Sequence, residues 1–140
     1  MVLQIDVLDA WKVLQEPNSI LIDVRTREEI DFVGFVNLSN TNAKTISLPW
    51  KNYPQMAVDE DFTDKLITLI AKLLPSNPEE ANLLFLCRSG NRSFEAAMFM
   101  SDFGYKCYNI INGFEGIHND LGQRGNINGW KSQNLPWRQN

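Results

Sequence analysis

The chain has 140 residues, 44% of them hydrophobic and 21% charged, with a formal net charge of −4 at neutral pH. That length suits one domain, 1–140, able to bury a core without metal or disulfide staples. The acidic balance argues against nucleic acid or an anionic membrane as partner. No apolar run approaches the ~20 residues needed to span a bilayer. The opening Met1-Val2-Leu3-Gln4-Ile5-Asp6 lacks the basic and apolar regions of a secretion signal. The two cysteines, Cys87 and Cys107, therefore do not read as a disulfide framework, and a reducing cytoplasm is the expected compartment.

In chain order, Val2–Ile5 reads as a short strand and Asp6 or Asp9 as the cap of a helix reaching about Gln15, broken by Pro17-Asn18. Ser19–Val24 carries a continuous apolar run suited to a buried strand. Thr26 caps a short helix with Glu28 and Glu29 in its first turn, ending near Gly34. Asn37–Thr45 reads as loop, Thr45–Leu48 as a strand stopped by Pro49, and Trp50–Ala57 as irregular. Asp61–Leu74 has apolar residues at helical spacing. Leu83–Leu86 is the next buried strand, Ser93–Phe103 the next helix with Gly104 beyond its end, and Cys107–Ile111 another strand. Asn112-Gly113 predicts a turn into a short helix near Phe114–Leu121, before a Gly-, Asn- and Trp-rich tail over 122–140. Strands alternating with helices indicate an α/β fold with a mostly parallel sheet.

The segment Leu83 to Ala97 concentrates the chemistry. A short apolar run ends on Cys87, then Arg88, Ser89, Gly90, Asn91, Arg92 and Ser93 precede a helical pattern. In an open parallel sheet, ligands bind beyond the carboxyl ends of the strands, where Cys87 stands. Loop amides, a helix N-terminus and two arginines around a sulfur stabilise a thiolate, or a persulfide anion, and bind anions. Gly90 permits a tight turn, Ser89 and Ser93 can donate hydrogen bonds, and Arg88 and Arg92 can hold an anionic substrate. A small core residue at a strand end is the bland alternative for Cys87, which the polar, doubly cationic loop disfavours. For Cys107, in an apolar context, the buried strand residue is the better reading.

His118, the only histidine, lies among Asn119 and Asp120 and reads as an exposed surface residue rather than the base of a Cys–His hydrolase. There is no Cys-x-x-Cys, His pair or acidic ligand cluster for a metal, and no Gly-rich nucleotide motif. Cysteine phosphatases need five residues between Cys and Arg to encircle a phosphoryl group. Here four lie between Cys87 and Arg92, a loop better sized for a sulfur atom.

Four segments resemble a single-domain rhodanese, a sulfurtransferase: Leu21 to Glu29, with its Asp-Val-Arg; Leu84 to Ser93, with the six-residue loop 87–92; Asn109 to Gly116; and the tail around Gly129-Trp130-Lys131 and Leu135-Pro136-Trp137. The resemblance implies a rhodanese-like fold, a central, mostly parallel five-stranded sheet flanked by helices on both faces. It implies that Cys87 takes the outer sulfur of a donor such as thiosulfate and passes it from a persulfide to cyanide or a thiol. Arg88, Ser89, Gly90, Asn91, Arg92 and Ser93 would bind the substrate, with no metal or organic cofactor. Asp23 and Arg25 would be structural, in a buried charged network. The partners implied are a small anionic donor, a thiol or cyanide acceptor and, in an alternative reading, a protein to which the domain delivers sulfur as a persulfide carrier. A phosphatase or arsenate reductase is the third reading, against which the short loop argues. Trp50, Trp130 and Trp137 are candidate docking aromatics, with packing on the domain the stronger expectation. The family's Gly-His-Ile-Pro-Gly-Ala stretch is replaced by Val33 to Asn40, followed by a longer 40–62 insertion, so the rim of the site departs from the family pattern.

Overall fold

The computed structural model describes residues 1–52 and 55–139. Tyr53 and Pro54, in the expected irregular stretch, and Asn140, at the end of the tail, lie outside the described residues. The elements are β1 (Val2–Ile5), α1 (Val7–Val13), β2 (Ser19–Asp23), α2 (Arg27–Val33), β3 (Phe35–Val36), β4 (Lys44–Ser47), β5 (Lys51–Asn52), β6 (Ala57–Val58), α3 (Phe62–Leu73), a 3-10 turn at Pro78–Glu80, β7 (Asn82–Leu86), α4 (Asn91–Ser101), β8 (Lys106–Ile110) and β9 (Trp137–Arg138).

Five strands form one sheet in the order β1-β8-β7-β2-β4, and every pairing in it is parallel. The strand interiors show why. Ile20, Ile22, Leu83 and Phe85 pack against Phe62, Leu66 and Ile70 of α3 and Ala96, Ala97 and Met100 of α4. The intervening Leu21, Leu84 and Leu86 point the other way, to Val7 and Ala10 of α1, Leu14 and the tail's Trp130. Covering both faces turns a two-residue alternation into the continuous apolar runs seen in the sequence. Each fully buried Leu, Ile or Phe contributes roughly 1.5–3 kcal/mol. The expected five-stranded α/β sheet, with helices on both faces, is therefore present.

The helix caps follow their side chains. Asp6 accepts from the Asp9 amide at 2.8 Å. Thr26 and Glu29 form a reciprocal capping box at the start of α2. Strand and helix ends differ from the sequence reading by one or two residues: β4 begins at Lys44, β8 at Lys106, and α4 at Asn91, two residues before Ser93.

Three features depart further. The expected helix over Phe114–Leu121 is a series of turns, because the amides of Phe114, Glu115 and Gly116 donate to Cys87 and Arg88 and cannot begin a helix. Two short antiparallel pairs occur where loop or irregular chain was expected: β3 with β9, and β5 with β6. Trp50 and Trp130 are buried and thus unavailable for docking, Trp130 donating from Nε1 to the Pro136 carbonyl at 2.8 Å, while Trp137 stays 38% exposed. No helix among the described residues is long and apolar enough to cross a membrane.

Asp23, at the end of β2, and Arg25 form a buried pair. Arg25 Nε and Nη2 donate to the two Asp23 carboxylate oxygens at 2.9 and 2.7 Å. The guanidinium lies 4.3 Å from the centre of the Phe114 ring, and Arg25 Nη1 has no hydrogen-bond partner among the described residues. Arg25→Met strands a buried carboxylate and is expected to cost about 3–5 kcal/mol, whereas Asp23→Leu/Arg25→Met together cost far less. Urea unfolding midpoints of the single and double variants check this.

Candidate active site

Cys87 follows the last residue of β7, the middle strand, at the carboxyl end of the sheet. It is 1% exposed. Its Sγ accepts the Gly90 N–H at 3.1 Å and lies 3.2 Å from Ser93 Oγ. Gly90 has φ of 109°, a region that L side chains rarely adopt, and this brings its amide back onto the sulfur. Of the loop amides expected to curl around the sulfur, Gly90's is the one bonded to it among the described residues. Arg88 and Asn91 are exposed, Ser89 and Arg92 half-buried, and Ser93 buried.

Hydrogen-bond directions place the proton of Ser93. Asn109 of β8 shares a sheet face with Cys107 and sits beneath α4. Its Nδ2 donates to the Gly90 carbonyl at 3.1 Å and to Gln4 Oε1 at 2.7 Å. A carbonyl only accepts, so the amide nitrogen faces that side and Oδ1 faces Ser93. Ser93 Oγ donates to this Oδ1 at 2.6 Å, with the Gly90 carbonyl as a further acceptor at 3.2 Å. Both acceptors draw the hydroxyl proton away from the sulfur. Ser93 therefore turns a lone pair rather than its proton toward Cys87 Sγ, 3.2 Å away.

The loop is held from behind by backbone. The Cys87 carbonyl accepts from Phe114 N at 2.9 Å, and the Arg88 carbonyl accepts from Glu115 N at 2.9 Å and Gly116 N at 3.3 Å. Gly113 makes this approach possible: a Cβ there would overlap the Cys87 carbonyl oxygen and lie 2.8 Å from the Arg88 carbonyl carbon. The tail secures the turn in its place, with Trp130 N donating to the Gly113 carbonyl at 2.8 Å and Lys131 N to the Phe114 carbonyl at 3.1 Å.

Arg92 was expected to hold an anionic substrate. It is instead paired with Glu29 of α2, at 2.6 Å from Nη1 to Oε1 and 2.8 Å from Nη2 to Oε2. Burial pushes the Glu29 carboxyl up, but the Arg92 guanidinium and the Thr26 amide and hydroxyl outweigh it and hold the group below its ordinary value. Burial pushes Arg92 down, and Glu29, with the fields of Cys87 and Asp23, brings it above its ordinary value. Cys107 is a different kind of thiol: burial pushes it up to about 12. His118 is exposed, within the turns after β8 rather than in a helix.

The sequence reading missed Asn109 and the partnership of Glu29. Asn109 carried a signal, a polar amide inside an otherwise apolar strand, which is costly unless bonded. Glu29 was legible as a helix-cap acid, whereas its partner lies 63 residues away.

Two outcomes follow from this geometry. The ion pair contributes fully above the ordinary glutamate value of about 4.3 and is lost as pH falls through the lower folded value. The stability gap between wild type and Glu29→Gln, measured by urea titration at a series of pH values, therefore closes in acid. Asn109→Leu removes the acceptor that holds the Ser93 proton, letting Ser93 donate to a sulfur anion. Alkylation of Cys87 by iodoacetamide at neutral pH should speed up about tenfold, the size of one hydrogen bond to a charged atom. Adding Ser93→Ala should cancel the gain.

Known proteins share the family and fold of this chain. A family model described as rhodanese-like domain matches residues 6–120. An uncharacterised protein of Rickettsia conorii is 42% identical over 126 residues, covering 89% of this chain and 87% of its own length. The crystal structure of Rv0390 from M. tuberculosis aligns with a TM-score of 0.79 and 34% identity, over 98% of this chain and 97% of that one. The solution structure of the polysulfide-sulfur transferase homodimer from Wolinella succinogenes shares the fold, with a TM-score of 0.61 and 23% identity over 99% of this chain and 80% of that one. The family match spans well over half of the chain and the folds concur: the protein belongs to the rhodanese-like family.

Proposed function

We propose that the protein is a sulfurtransferase that moves a sulfane sulfur from an anionic donor such as thiosulfate to a thiophilic acceptor through a persulfide on Cys87. Family membership supports sulfur transfer in general. The observation that carries the specific reading is the setting of Sγ at the end of β7, between the Gly90 amide at 3.1 Å and the Ser93 hydroxyl at 3.2 Å. These groups suit a sulfur that alternates between thiol and anion.

In the first half-reaction Cys87 loses its proton to solvent and Sγ attacks the outer sulfur of thiosulfate. A new S–S bond forms, the donor's S–S bond breaks, and sulfite leaves with the bonding pair. The persulfide anion inherits the Gly90 N–H as its donor. In the second half-reaction cyanide or a thiolate attacks the outer sulfur, the bond to Sγ breaks, and thiocyanate or a new persulfide departs. The Cys87 thiolate then takes a proton back. Arg88, exposed next to the nucleophile, meets the donor's charge, and Ser89, Asn91 and Ser93 shape the loop around the transferred atom. The Arg92–Glu29 pair fixes the start of α4 against α2 and keeps a guanidinium in the field of the sulfur.

Intact-mass measurement after thiosulfate treatment is expected to show one added sulfur atom, removed by cyanide with release of thiocyanate and absent in Cys87→Ala. An unmodified wild-type mass with no thiocyanate formation overturns the proposal.

A further inference from the structure

Beside the cysteine loop, between α2 and the turns that follow β8, lies a groove of about 330 Å³ lined by Arg88, Arg124, Glu28, Glu115, Phe32 and Val33, with Glu29, already paired with Arg92, at its edge. Its chemistry is mixed in an ordered way. Arg124 is half-buried, and its Nη1 donates to the Gly116 carbonyl at 2.6 Å. Gly116 in turn donates its amide to the Arg88 carbonyl, so Arg124 is anchored one peptide away from the residue following the nucleophile. Burial and then the neighbouring Arg88 charge hold Arg124 below the ordinary arginine value, with Glu115 pulling the other way. Two guanidiniums thus stand close together, and among the described residues neither forms an ion pair.

A like-charge pair with open donors is an incomplete site that a carboxylate completes, since guanidiniums match carboxylates in shape and charge. Glu28 and Glu115 set negative charge in the same groove, which disfavours a bare polyanion and favours a ligand with its own cation. Phe32, 84% exposed, and Val33 supply an apolar wall. A ligand with a carboxylate, an ammonium group and a short hydrocarbon stem meets all three demands. A persulfide on Cys87 places its outer sulfur about 2 Å beyond Sγ, within the loop whose next residue, Arg88, lines the groove.

We infer that this groove seats the sulfur acceptor, and that the acceptor is a zwitterionic thiol of the amino-acid type, its carboxylate on Arg88 and Arg124 and its ammonium on Glu28 and Glu115. The inference rests on the persulfide reading above and adds the acceptor class and Arg124 as a specificity residue. The acceptor thiolate attacks the outer sulfur and forms an S–S bond. The bond from that sulfur to Cys87 Sγ breaks, and Sγ leaves with the pair and takes up the proton released by the acceptor. The products are Cys87 thiol and the acceptor's persulfide, with no net oxidation.

The test loads Cys87 with thiosulfate, confirms the added sulfur by mass, and measures discharge by four thiols: cysteine, cysteamine without a carboxylate, 3-mercaptopropionate without an ammonium, and neutral 2-mercaptoethanol. Rates are compared per unit of thiolate. Cysteine should exceed each of the others in kcat/KM by about tenfold or more, the weight of one charge-assisted hydrogen bond. Arg124→Ala should erase the cysteine-over-cysteamine preference and Arg124→Lys restore much of it. Glu115→Gln should weaken the cysteine-over-mercaptopropionate preference. Four equal discharge rates, or an Arg124→Ala preference equal to wild type, overturn the inference while leaving the persulfide intact. Failure of thiosulfate to load Cys87 overturns the underlying mechanism instead, and the inference with it.

Discussion

The site depends on a backbone clasp. The carbonyls of Cys87 and Arg88 are held by three consecutive amides, Phe114, Glu115 and Gly116, and the clasp closes because Gly113 presents no side chain to the Cys87 carbonyl. The clasp is a direct result of sheet order. β7 and β8 are parallel neighbours, so the loop leaving one and the turn leaving the other emerge at the same end of the sheet. β2 flanks β7 on its other side and delivers Asp23, Arg25 and the start of α2 to that end. Three stretches far apart in the chain converge there because one topology requires it.

Charge placement follows the same geometry. The protein is acidic overall, yet four arginines gather around the cysteine loop. Arg25 is neutralised by Asp23 in the interior, and its guanidinium supports the Phe114 ring of the clasp. Arg92 is neutralised by Glu29 and ties α4 to α2. Arg88 and Arg124 are left with open donors at the groove. Buried cations paired within the chain serve architecture, and the accessible ones are available to a ligand.

Much of this was legible in the residues. The runs Ile20-Leu21-Ile22 and Leu83-Leu84-Phe85-Leu86 announced strands covered on both faces, and the switch from Leu86 and Cys87 to polar residues announced a loop at the carboxyl end of the sheet. The segments that failed are those whose amides or side chains answer to distant partners. Phe114–Leu121 has a plausible helical pattern, but its first amides belong to the cysteine loop. Phe35–Val36 becomes a strand because Trp137–Arg138 lies beside it. Arg92 has the spacing of an anion ligand, and only the fold shows that Glu29 already occupies it. Local preference reads local elements; the sharing of a donor between remote segments is a property of topology.

The near-complete cover of Cys87 bears on fidelity. Exchange between thiols and persulfides in open solution is promiscuous, because any thiolate that collides can take the sulfur. A sulfur that is 1% exposed and walled by Gly90, Ser93 and the clasp excludes most collisions. On the proposed mechanism, transfer goes to molecules that first match the rim, and a Cys87 persulfide gains a lifetime set by recognition rather than by the ambient thiol concentration. In such a molecule, burial of the nucleophile is a means of keeping sulfur from going astray.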